Sequence, residues 1–190
     1  MPISKPVARD HIHTRSIQCT GYKRKDGLWD IDGRLVDTKT YTFENLDRND
    51  IPSGEPIHQM VMRITVDDDM VIHNAEASTE FAPYHMCGDI TGTFEQLKGL
   101  KVGPGWRRAV NQIMGGTGGC THLRDLLIGP LAVTAYQTII PMRRKASPGD
   151  RPTRRPSVIG TCHAYAPDGP IVERQWPEFH ETPEEDEQKT

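Results

Sequence analysis

Long apolar runs are missing from this 190-residue chain. No window approaches the ~18 unbroken apolar positions of a membrane-crossing helix. The first ten residues also lack the apolar core of a secretory signal. Cysteine is scarce: four residues at scattered spacings argue against a disulfide framework and for reduced thiols. Basic charge is in deficit. The net charge of −3 removes the electrostatic footprint of a general nucleic-acid binder. Hydrophobic residues make up only 35%, while 15 prolines and 17 glycines put much of the chain into loops. The expectation is a cytoplasmic protein that contacts neither nucleic acid nor membrane. A loose arm over 1–14, one domain over 15–179 and a disordered acidic tail over 180–190 would make up the chain.

Strand patterning dominates the first half. Ile17 to Arg24 and Leu28 to Lys39 flank Lys25-Asp26-Gly27, and Asp-Gly is a strong hairpin signal. Trp29, Ile31 and Leu35 alternate with Asp30, Asp32 and Arg34, so one face is buried and the other wet. A second hairpin spans 56–79, with three aspartates at 67–69 between its strands. His58 shares a face with Met60, Met62, Ile64 and Val66 and should point inward. The same counting puts Glu76 with Met70 and Ile72, and His73 with Val71, Ala75 and Ala77. Buried polar groups of this kind need partners. In the arm, His11 and His13 are read as solvent-exposed groups rather than a chelating pair.

Helical spacing follows at 93–100, 105–114 and 121–140, the last interrupted by Gly129-Pro130. Between the second and third helices runs Met114-Gly115-Gly116-Thr117-Gly118-Gly119-Cys120-Thr121-His122. Thr121 is a suitable N-cap, which puts Cys120 at the helix start, a position that favours a thiolate. A basic, proline-rich loop is expected over 141–157, and 158–174 is expected to add a strand. Strands and helices fall in separate runs, which predicts an α+β fold. An antiparallel sheet of the hairpins 16–39 and 56–79 would be covered on one face by the three helices.

Three motifs, Asp26-Gly27-Leu28-Trp29-Asp30-Ile31-Asp32-Gly33, Gly118-Gly119-Cys120-Thr121-His122-Leu123 and Thr161-Cys162-His163-Ala164-Tyr165, resemble the DUF2889 family over about Arg15 to Pro177. The resemblance implies one domain of a bacterial cytoplasmic protein. It supplies no catalytic residues, so the chemistry has to come from the side chains.

Cys120-x-His122 and Cys162-His163 are the groups most able to carry a reaction. Their spacing is unlike paired metal-ligand motifs, and adjacent strand residues point to opposite faces, so neither a bound metal nor a cofactor is expected. Two readings follow. In the first, the protein is a metal-independent enzyme of bacterial metabolism acting on a small carbonyl or thioester compound. Cys120, His122 and the inward His58 are its catalytic groups, with Gly118, Gly119, Thr121, Glu76, Cys162 and His163 around the ligand. In the second, it is a non-catalytic binding or accessory protein whose glycine-rich turn holds an anionic ligand. The exposed edge of so small a sheet leaves a homodimer open.

Overall fold

The structure, a computed structural model, describes residues 2–147, 149 and 152–182. Two compact units form, 1–146 and 147–190. The first holds four strands: β1 (His13–Lys23), β2 (Trp29–Lys39), β3 (Pro56–Val66) and β4 (Ile72–Phe81). They pair in sequence order, all antiparallel, as two hairpins side by side. The arm ends two residues before the expected boundary, because His13 and Thr14 already pair with Lys39 and Thr38.

Each hairpin turn has its local cause. Gly27 takes φ 91° in the first, where Arg24 and Leu28 close the loop. In the second, the Asp67 carboxylate accepts hydrogen bonds from the backbone of Asp69 and Val71, at 2.9 and 3.0 Å. Trp29, Ile31, Leu35, Met60, Met62, Ile64 and Val66 are buried, as alternation requires.

Alternation misleads in β4. Thr65 pairs with Asn74 but Val66 pairs with Ile72, so one extra residue enters β4 at His73. That bulge reverses the parity of the residues after it, as far as a second irregularity between Thr79 and Phe81. Ile72 and Ala75 are buried together, whereas Glu76 lies on the open face beside Arg63, which also grips Asp32 at 2.7 Å. Glu76 therefore leaves the candidate site, and His73, also exposed, bonds the Asp67 carboxylate at 2.9 Å. Glu76→Gln should change stability in urea by less than about 1 kcal/mol, because exposed pairs of this kind contribute little. A larger loss would show that the pair is structural.

The sheet's other face is covered by helices. A 3-10 run over His85–Leu97 buries Phe94 and Leu97. It is followed by α1 (Trp106–Met114), which buries Trp106, Val110 and Met114. After the glycine turn, α2 (Thr121–Leu126), a π turn (Leu127–Leu131) and α3 (Ala132–Ala146) form one continuous helical run. The π turn sits where Pro130 lacks an N–H, and the Thr134 hydroxyl donates to the Pro130 carbonyl at 2.9 Å. This run lies close against the sheet because Gly33 faces Leu131 and Leu126, and Gly21 faces Thr138. A Cβ at either position would come within 3 Å of the helix side chains. Leu123, Leu126, Leu127, Leu131, Ala135 and Ile139 fill the interface. No helix of the described residues is long and apolar enough to cross a membrane.

Helix α3 continues through Pro141 to Ala146, so the first part of the expected basic loop is helical, and Arg143 reaches the Asp68 carbonyl at 2.7 Å. In the second unit, the strand expected within 158–174 does not form. Gly160 takes φ 83°, a 3-10 turn occupies His163–Tyr165, and Pro167-Asp168-Gly169 leads into α4 (Pro170–Gln175). Pro170 suits the first turn of a helix, where its missing N–H is no loss. Ile159, Val172 and Trp176 make a small core there. Of the expected acidic tail, 183–190 lies outside the described residues.

Candidate functional site

Three strands set one polar row at the end of the core face. Positions 29, 31, 33, 35 and 37 of β2 all turn toward the helices, so Asp37 is buried, with 2% of its surface exposed. In the register Asp37 stands opposite Arg15 on β1 and opposite His58 on β3. The Arg15 guanidinium donates from Nε to Oδ1 at 2.8 Å and from Nη2 to Oδ2 at 2.7 Å. His13 Nε2 lies 3.2 Å from Oδ1, and His58 Nδ1 lies 3.0 Å from Oδ2. The carboxylate can only accept, so the His58 proton belongs on Nδ1 and its lone pair on Nε2.

The helix contributes the other half. Cys120 is the residue just before α2, and its carbonyl accepts the Arg124 N–H at 2.9 Å. Thr121, expected as the cap, is the first helical residue, and no side chain caps the turn. The first turn carries His122 over β3, where its ring meets His58 with centroids 3.9 Å apart and planes tilted by 34°. Cys120 Sγ lies 3.7 Å from His122 Nδ1.

Electrostatics sort these groups into roles. Burial would raise the Asp37 carboxyl, but the Arg15 guanidinium outweighs it and holds Asp37 below the usual carboxylate range. Burial and the neighbouring His122 push His58 down, against the pull of Asp37. His122 is lowered by burial and then by Arg15. Asp37 and Arg15 are therefore a fixed negative and a fixed positive charge, and the His58 and His122 imidazoles are neutral at pH 7.

Both rings and Cys120 line a cavity of about 500 Å³. Met60 also lines it, as do Pro83, Tyr84, Met86, Cys87 and Ile90 from the segment after β4. A hollow of about 540 Å³ lies on the open sheet face among Asp32, Arg34, Arg63 and Glu76, where Arg63 already pairs with Asp32 and Glu76, and Arg34 with Glu80.

The structure thus brings together Cys120, His122 and His58, with Gly119 and Thr121 beside them. Gly118 does not line the cavity, and Glu76 is on the opposite face. Cys162 and His163 are exposed residues of the second unit. Residue-by-residue reading missed Asp37, Arg15 and His13, although the alternation that turns His58 inward turns Asp37 inward as well. Among the described residues, Asp37, His58 and His122 place one ligand-type atom each within 4.8 Å of one another. Sequence spacing cannot reveal such a trio, because its members come from β2, β3 and α2. Both Asp37 oxygens, however, are held by Arg15, whose charge would also repel a divalent ion. The arrangement fits a carboxylate that orients His58 better than one that binds metal.

The family model described as "Protein of unknown function (DUF2889)" matches residues 13–137, which span the whole sheet and every side chain of this centre. No curated protein and no solved structure matches the chain.

Proposed function

We propose that this chain, which belongs to the DUF2889 family, is a metal-independent bacterial cytoplasmic enzyme that acts on a small carbonyl or thioester compound. The observation that carries this reading is the Asp37–His58 hydrogen bond at the wall of a cavity shared with His122 and Cys120. Asp37 fixes the His58 tautomer and supports the imidazolium that forms when Nε2 takes a proton. His58 is then the general base, and later the acid, for the substrate. His122, in contact with the Cys120 thiol, accepts its proton, and the thiolate attacks the substrate's carbonyl carbon. For a thioester, the bond to the leaving sulfur breaks and that sulfur takes a proton from an imidazolium.

Native-state alkylation with iodoacetamide, read by mass spectrometry, tests the thiol–imidazole pair. The exposed Cys162 serves as the internal reference. Cys120 should react, and His122→Ala should slow it by about tenfold or more relative to Cys162. A Cys120 rate unchanged by His122→Ala would remove the nucleophile and favour the ligand-binding alternative, in which the glycine-rich turn holds an anion.

A further inference from the structure

We infer that the cavity selects an uncharged, apolar carbonyl compound and rejects carboxylates and phosphates. This rests on the location of the site given above, and extends it from the type of reaction to the class of substrate. No lysine or arginine is among the described residues that line the cavity. Arg15, the cation whose charge is felt at His122, has two donors committed to Asp37. Among the described lining residues the one carboxylic acid is Asp89. A ligand carboxylate entering here would lose water, meet a like charge and gain no cationic partner, which is strongly unfavourable.

The walls favour apolar matter. Met60, Pro83 and Ile90 contribute hydrocarbon and ring surface. Tyr84 and Met86 also line the cavity, yet they are 58% and 74% exposed. Large apolar side chains left in water around a concavity mark a place where an apolar ligand completes the surface. The volume of about 500 Å³ suits a molecule with a ring or a medium-length chain. The neutral imidazoles supply the few polar atoms such a ligand needs at its carbonyl end.

Matched probes on two skeletons test the inference with the full chain. One set is 4-phenyl-2-butanone, 3-phenylpropanoate and 3-phenylpropylamine, and the other is 2-octanone, octanoate and octylamine. Binding is followed by saturation-transfer NMR and by chemical-shift changes in His58 and His122. The ketones should bind at least about tenfold more tightly than the carboxylates. Met86→Lys, at an exposed rim position, should raise carboxylate affinity by several-fold and lower that of the ketones. Ketone binding that survives in Cys120→Ala supports the selection rule whatever becomes of the nucleophile, so the two proposals fail separately. Carboxylates or amines binding as tightly as the ketones, or no ketone binding on either skeleton, would overturn it.

Discussion

Asp37→Asn should lower turnover of a carbonyl substrate by about 10²–10⁴ while leaving ligand affinity within a few-fold. The carboxylate accepts four contacts, two from Arg15 and one each from His13 and His58. An asparagine amide has one oxygen and one NH₂. Whichever way it turns, the NH₂ meets an Arg15 donor. With the oxygen turned to Arg15 Nε, the NH₂ faces His58 Nδ1, which must then become an acceptor. The proton moves to Nε2, and the base is in the wrong tautomer. Stability should fall by about 1–3 kcal/mol, the range for a disrupted buried hydrogen bond. The effect is moderated because Arg15 is 39% exposed and water can take over part of its hydration. Nitrogen-15 chemical shifts of His58 report the tautomer directly. Unchanged turnover in the variant would exclude His58 as an Asp37-oriented base.

The same groups set the pH dependence. His58 and His122 have folded pKa values below the ordinary imidazole value of about 6.5, so below that pH the unfolded chain binds more protons. Stability should therefore decline as pH falls from about 6.5 through the lowered folded values. Activity should fail over the lower part of that window, once the base is protonated in the folded protein. Asp37 acts further down. Its stabilisation is complete above the usual carboxylate value of about 4 and is lost as pH falls through its depressed folded value.

Gly119→Ala should act through stability, with a loss caused by one methyl group. A Cβ there would lie 2.3 Å from the Met114 carbonyl oxygen and 2.8 Å from the Met114 Cβ. Met114 is buried at the end of α1, with 1% exposure, so it cannot retreat without moving the core. The cost should be about 1–3 kcal/mol or more, in the range of overpacked cores. Gly118→Ala, whose Cβ would lie 3.3 Å from the Ile113 carbonyl, should be milder. Urea denaturation of the two variants provides the comparison. A Gly119→Ala protein as stable as its parent would mean that the turn can move freely relative to α1. The distance explains why glycine is needed just before Cys120: at position 119 the connecting backbone passes so close to Met114, the last residue of α1, that it has no room for a side chain.

Much of the fold was legible because its signals are local. Asp26-Gly27 between alternating segments predicts the first hairpin, and the apolar positions of β2 and β3 identify the buried face, His58 included. The spacing from Leu123 onward predicts the helix, and the glycines before Cys120 predict its start. Each inference needs only the period of one segment and the backbone preferences of a few residues.

What the chain determined by itself, then, is an α+β arrangement with His58 facing inward and Cys120 and His122 at a helix start. Tertiary structure decided how these meet. The row Arg15–Asp37–His58 exists because β1, β2 and β3 pair in one particular register, and no single segment encodes a register. Glu76 left the site because a bulge at His73 reverses the parity of β4, a property of its pairing with β3. Cys120 and His122 reached His58 because the helical run crosses the sheet where Gly21 and Gly33 permit contact. Period and propensity act within a segment, whereas register, bulges and the closeness of layers are settled by which surfaces pack best together.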